Sequence, residues 1–260
     1  MGKRILYLGQ KARHLKLLWL LFPWIGLIAL SCNKDHAFDF LKSTGKTVTI
    51  HRTISGDFSA VRLESNIDLV LTQGPGYSIS LEGGENILPG IDTEIKDSTL
   101  TLRNNNTFNW VRSYDNKITA RVTAPHFLFI NYESTGTLSN TDTIHEDSIF
   151  VTSFGGSGFI KLCIKTNISH LSLTKGSADL DISGYSGSNF IFAGSYGPFH
   201  CLNLETSNTY MSNSGTNDCY ISVDNHLEYE IKGVGNIYYK GDPASVSGSI
   251  TGDGKLIKLP

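Results

Sequence analysis

The chain turns on glycine at a steady beat. From Phe154 to Lys255 short turns recur as Gly155-Gly156-Ser157-Gly158, Lys175-Gly176-Ser177, Ala193-Gly194-Ser195, Ser214-Gly215-Thr216, Gly233-Val234-Gly235 and Gly252-Asp253-Gly254. Counting from Gly156 through Gly176, Gly194, Gly215 and Gly233 to Gly252, every step is close to the same length, about 20 residues, which is the span of a structural repeat. Between the turns apolar residues alternate with polar ones, a period of two that sets one face of each strand in a core and the other in water. Units such as LSLTKGSADLDISGYSGS (171–188) and TYMSNSGTNDCYISVDNH (209–226) follow one another from Leu128 to Leu259. A unit of this size cannot bury its apolar face alone. Stacked, the units share one core and pair their backbones above and below.

The period selects among repeat folds. Propeller blades need roughly 40 to 45 residues and leucine-rich repeats a fixed leucine and asparagine pattern; a coil of ~20 residues has the perimeter of a β-helix rung. The reading is an all-β, right-handed parallel β-helix, or β-solenoid, with ~20-residue rungs. The N-terminal third is strand after strand: Val48 and Ile50, Val61 and Leu63, Ile67, Leu69 and Leu71, Ile79 and Leu81, Leu100 and Leu102 alternate with polar neighbours. Turns at Gly74-Pro75-Gly76, Gly83-Gly84 and Pro89-Gly90 predict some antiparallel pairing there. No helical periodicity follows Ser31. An open sheet edge is a template for association, so Lys255, Lys258 and Pro260 are expected to blunt the C-terminal end, the alternative being an edge used for self-association.

The N-terminus reads as an address. Lys3, Arg4, Lys11, Arg13 and Lys16 precede an uncharged run, Leu17 to Ser31, and this basic-then-apolar order is that of a secretory signal. Ala29-Leu30-Ser31-Cys32 resembles the bacterial lipoprotein signal, which makes Cys32 the acceptor of the lipid. The alternatives are a plain cleaved signal and a membrane-anchoring helix. Asn33-Lys34-Asp35 resembles the surface-export tag of Bacteroidetes lipoproteins. The expected organisation is residues 1–31 as signal, 32–46 as tether and 47–260 as one elongated β-helix domain. The expected place is the cell envelope, held to the outer membrane through the N-terminal lipid.

Removing the signal takes Lys plus Arg from 22 to 17 against 24 Asp plus Glu, and the formal charge from −2 to −7. Such a balance argues against nucleic acid as a partner. Cys163, Cys201 and Cys219 make no zinc spacing and no CxxC pair. Cys201 and Cys219 each follow a turn glycine by four positions, Gly197 and Gly215, and are expected as buried thiols stacked on adjacent rungs, a disulfide between them being the alternative. Asp179 and Asp181 alternate and share one side of a strand. That arrangement suits general acid and base work, but it is also what the wet face of any amphipathic strand shows. The histidines form no HExxH, no GxSxG occurs, and the calcium-binding glycine-aspartate nonapeptide is absent. No catalytic residue, metal or cofactor is assigned. Aromatic residues crowd the later units and are expected mostly as ladders inside the coil, with Trp110, Tyr238 and Tyr239 as candidate ligand-facing rings; Tyr238 and Tyr239 are adjacent and must split between the two faces.

Phe58-Ser59-Ala60-Val61, Ile67-Asp68-Leu69-Val70-Leu71-Thr72-Gln73-Gly74, Thr123-Ala124-Pro125 and Gly233-Val234-Gly235-Asn236-Ile237-Tyr238-Tyr239-Lys240-Gly241 resemble the GIN domain, the autotransporter-adhesin head domain of Bacteroidetes lipoproteins, over about residues 57–242. The resemblance implies a surface β-helix. The expected function is a non-enzymatic, adhesin-like binding module meeting a glycan or a host or envelope protein. A carbohydrate-active β-helix lyase or hydrolase and a self-associating structural envelope protein are the alternatives.

Overall fold

A computed structural model describes residues 44–106 and 117–260, which belong to one compact unit. Among the described residues, alternating β-branched, aromatic and polar side chains build nineteen strands, which join into one continuous sheet wound as a solenoid of about 6 turns. The rung length is visible in the register. Ile144 pairs with Ile164, Ile164 with Gly184 and Gly184 with Leu204, so each rung lays its backbone over the equivalent position of the one before.

Three faces make up a rung. The first carries β2 (Ala60–Ser65), β6 (Thr99–Asn104), β8 (Phe129–Ser134), the later parts of β10 (Ile144–Phe154), β11 (Phe159–Lys175), β12 (Asp179–Ala193) and β14 (Leu204–Asn213), then β16 (His226–Ile231) and β18 (Ser245–Ile250). The second carries β3 (Asp68–Gln73), β7 (Thr119–Ala124), β9 (Thr137–Asn140), the beginnings of β11 and β12, β13 (Phe199–Cys201), β15 (Cys219–Ser222), β17 (Ile237–Lys240) and β19 (Leu256–Lys258). The third, short face pairs the beginnings of β10 and β14 with the middles of β11 and β12. From β8 onward glycine turns join the first face to the second, whereas β2 passes to β3 through Ser65-Asn66-Ile67.

These turns are tight because the rungs approach closely. Ser177 N donates to Gly156 O at 2.9 Å, Tyr196 N to Gly176 O at 3.1 Å and Asp253 N to Gly233 O at 3.1 Å. A Cβ on Gly233 would strike the carbonyl oxygen of Gly215, and one on Gly252 that of Gly233. The beat has one exception. In the column that runs through Gly176 and Gly215 the place between them is held by Ser195, whose carbonyl a Cβ on Gly215 would meet, while Gly194 lies beside its own neighbour Phe192.

The N-terminal third departs from a simple coil. The rung of β2 and β3 sits between the rung of β6 and β7 and that of β8 and β9, so the first rung in the chain is not the first in the stack. Antiparallel strands then close that end: β4 (Ser78–Gly84) runs along β7, β1 (Thr47–Arg52) along β4, and β5 (Ile91–Lys96) along β6. Arg52 Nη2 fastens the cap by donating to Leu88 O at 3.0 Å and Ile91 O at 2.9 Å.

The interior is mainly aliphatic, with Tyr132, Phe58, Phe127 and Phe199 as its largest fully buried side chains. A polar seam runs along the corner between the third and first faces. Ser169 Oγ lies 2.8 Å from both Ser186 Oγ and Asn189 Oδ1, Thr206 Oγ1 lies 2.8 Å from Thr209 Oγ1, and Thr166 Oγ1 donates to Asp147 O at 3.0 Å. The backbone leaves ladder geometry at this bend, and buried hydroxyls there supply the partners the bend removes.

Candidate functional site

Strand alternation decides which rings face water. Phe129, Phe150, His170, Phe190 and Tyr210 hold successive register positions on the first face. Their rings stack with centroids 4.8, 4.4, 4.8 and 4.9 Å apart and planes within 17° of parallel, a repeat set by the strand spacing of about 4.8 Å. The column lies outside the coil, with Phe129 46% and Phe190 37% exposed. The expected interior ladders are therefore corrected. On the same strands the inward positions go to Ile130, Val151, Leu171, Ile191 and Met211, all buried, because a narrow coil packs aliphatic side chains well and leaves no room for a second run of stacked rings.

Stacking has a chemical consequence. Rings inside the column have both faces covered by neighbours and offer only their edges to solvent. His170, sandwiched between Phe150 and Phe190, loses water, and this burial holds its pKa below the usual imidazole value. Two positions further along each strand runs a second line, Ser172, Phe192, Ser212 and Glu230. Residues of both lines border an open groove of about 580 Å³, apolar at Phe190, Phe192 and Tyr210 and acidic at Glu228 and Glu230. Lys232 Nζ, 2.8 Å from Glu230, keeps that carboxyl below its usual range, and Ser212 Oγ adds a hydrogen bond at 3.3 Å.

The second face carries a shorter column, His200, Tyr220 and Tyr238, with centroid separations of 5.7 and 4.8 Å. Tyr238 belongs to this outer column, whereas Tyr239, its neighbour in the chain, packs against the core. Alternation separates the two, so Tyr239 does not take the ligand-facing place expected for it. Trp110 and Cys32 lie outside the described residues. The ring column on the first face had a sequence signal: Phe150, His170, Phe190 and Tyr210 recur at one even interval, a full rung apart. In Phe190-Ile191-Phe192-Ala193 both phases of the alternation are apolar, which hid the inside from the outside. The clearer neighbour His170-Leu171-Ser172-Leu173 carries the phase that resolves it.

Elsewhere the polar side chains serve the frame. A hollow of about 570 Å³ is lined by His126, His145, Glu146, Asp147, Lys165 and Tyr185 among others. Its Glu146 side chain is only 5% exposed and is held by Phe127 N at 2.8 Å, Gln73 Nε2 at 3.0 Å and His126 Nδ1 at 3.2 Å, a clamp between rungs. Asp179 and Asp181 sit on the outer side of β12, opposite Phe159 and Lys161 of the rung before. Among the described residues no group of three or more His, Cys, Asp or Glu is placed to hold a metal ion. Cys163, Cys201 and Cys219 are free thiols. Cys201 and Cys219 are buried but not register partners: Cys219 stands opposite Phe199, and Cys201 opposite Ile221. Equal distance from a glycine did not give equal register, because Gly197 and Gly215 occupy different places in their turns, meeting the carbonyls of Ala178 and Ser195.

Fold and surface define a class, a repeat β-solenoid that displays ring columns on continuous faces. The chain belongs to the family described as putative auto-transporter adhesin, head GIN domain, whose model matches residues 57–243. Solved structures with the same fold include a putative adhesin from Bacteroides fragilis NCTC 9343, at 20% identity and a TM-score of 0.74, covering 82% of this chain and 97% of that one. A putative adhesin from Parabacteroides distasonis ATCC 8503 aligns at 17% identity and a TM-score of 0.61, over 83% and 98% of the two chains. A putative lipid binding protein from the same strain aligns at 19% identity and a TM-score of 0.60, over 84% and 98%. Among curated proteins none matches the chain.

Proposed function

We propose that the protein is a lipid-anchored, non-enzymatic binding module of the cell envelope whose ligand surface is the groove beside the His170, Phe190 and Tyr210 end of the ring column, and that this groove takes an extended glycan. The observation that carries the reading is an apolar ring surface kept in water over five successive register positions. Exposed contiguous apolar surface on a soluble face marks an interaction site. A sugar lays its C–H face on an open ring while nearby polar groups take its hydroxyls; the column offers ring edges along the groove, and Phe192, between Ser172 and Ser212, offers the open ring face. Phe192 stands outside the stack and is 41% exposed, and Ser172, Ser212, Glu228 and Glu230 border the same groove. Family membership agrees with an adhesin-like role.

The test is glycan-array binding by the mature chain, run beside a release assay on bacterial and host polysaccharides. Binding that is lost in Phe192→Ala, with no product released, supports the proposal; release of oligosaccharide replaces it with the lyase or hydrolase reading. The anchor rests on Cys32 in Ala29-Leu30-Ser31-Cys32. Cys32→Ser is expected to move the protein from the membrane to the soluble fraction, and retention on membranes would overturn the lipid claim.

A further inference from the structure

The two ends of the solenoid are finished differently. At the N-terminal end antiparallel strands close the stack, and its edge strands carry charge: Asp92, Glu94 and Lys96 on β5 and Arg52 on β1. At the other end, among the described residues, β18 pairs only with β16 and β19 only with β17. The core-facing column makes the difference plain. Leu227 and Ile231 are 0% exposed, yet Val246 and Ile250, their register partners on the next strand, are 42% and 46% exposed. Those two side chains point where the core lies and are covered on one side only. The strand that carries them, Ser-Val-Ser-Gly-Ser-Ile, has no charge and no proline, the features that ordinarily protect an edge from pairing.

We infer that this end is a docking surface for a second copy of the chain, joined about a two-fold axis by antiparallel pairing of β18 with the same strand of the partner copy, centred on Gly248. The register follows from the sequence of the strand. With Gly248 on the axis, Val246 falls opposite the partner's Ile250, and Ile250 opposite the partner's Val246, on the core side. Ser247 falls opposite the partner's Ser249 on the wet side. The one position that must face itself is the residue without a Cβ. Such pairing satisfies the free backbone groups of both edges and covers both half-exposed core columns, which is how an isologous contact is made.

Charge permits it. The mature chain is acidic as a whole, but the last rung is balanced, with Asp253 against Lys255 and with Lys258 Nζ held on Asp242 Oδ1 at 2.5 Å. Two copies of this end therefore meet without the repulsion that two copies of the rest would feel. The charged N-terminal edges disfavour head-to-tail stacking, so the expected product is a closed dimer and not a filament.

The experiment is sedimentation velocity on the full chain in a density-matched detergent, at concentrations on the order of 100 μM. The wild type is expected at twice the monomer mass. Val246→Lys and Ile250→Glu, each alone, are expected to return it to monomer, because each sets a charge against an apolar partner. The double variant Val246→Lys, Ile250→Glu is expected to restore the dimer, since the new ammonium and carboxylate fall opposite each other twice in this register. Far-ultraviolet circular dichroism spectra of all variants should match the wild type, as both positions are half exposed and each variant keeps the fold. A monomeric wild type, a dimer indifferent to both single variants, a double variant that stays monomeric, or a ladder of larger species would each overturn the inference.

Discussion

At the scale of single residues, the turn glycines answer to space. Gly233 is needed because the carbonyl of Gly215 occupies the place of its Cβ. Gly233→Ala is expected to cost about 1–3 kcal/mol, read as a lower urea midpoint with an unchanged slope. Cys201 gives a pH signature. Burial raises its thiol from 9.0 to about 12, so the folded state keeps the proton that the unfolded state gives up first. Its contribution to stability is complete below pH 9 and is lost as pH rises toward 12. Cys201→Ala should flatten part of the alkaline fall in thermal stability measured from about pH 8 upward. The burial of these thiols was legible from their place on alternating strands; their register was not, because that depends on how each turn threads its glycines.

At the scale of elements, the ring column is a stabilising and a displaying device at once. Phe190 stacks on His170 and Tyr210, and aromatic pairs contribute about 0.5–1.5 kcal/mol each beyond area. Phe190→Ala is expected to destabilise the solenoid by about 1–3 kcal/mol, measured by chemical denaturation, and to weaken groove binding. His170 adds a pH dependence of opposite sense. Its folded pKa is lowered from 6.5 by burial, so its stack is at full strength above pH 6.5 and weakens as pH falls and the imidazole takes a proton. His170→Phe keeps a ring in the column without the titration. Between about pH 7.5 and pH 5 its melting temperature should fall less than that of the wild type. Alternation in the sequence predicted strands here correctly, yet in Phe190-Ile191-Phe192-Ala193 it carried no phase, and only pairing with His170-Leu171-Ser172-Leu173 told outside from inside.

At the scale of the whole described unit, stability is expected to fall from the middle toward β18 and β19. β11 and β12 are each paired along both edges, while β18 and β19 are paired along one. Amide hydrogen exchange should be fastest in β18 and β19 and slowest in β11 and β12, with β18 slowing as protein concentration rises if the two-fold pairing forms. The sequence by itself determined the class of fold and the rung length, because a period of two between turns about 20 residues apart admits few other ways to bury the apolar face. It also determined that antiparallel strands occur near the N-terminus, through the glycine and proline turns before Ile91. Tertiary structure alone decided that β2 and β3 lie between later rungs, that Ser195 takes a place in the glycine column, and that the rings stand outside in a stack. Each of these depends on which residue lies above which, a relation between positions a full rung apart that no local pattern encodes. The glycine beat fixes how the chain turns; the register of the stacked rungs decides what the turns bring together.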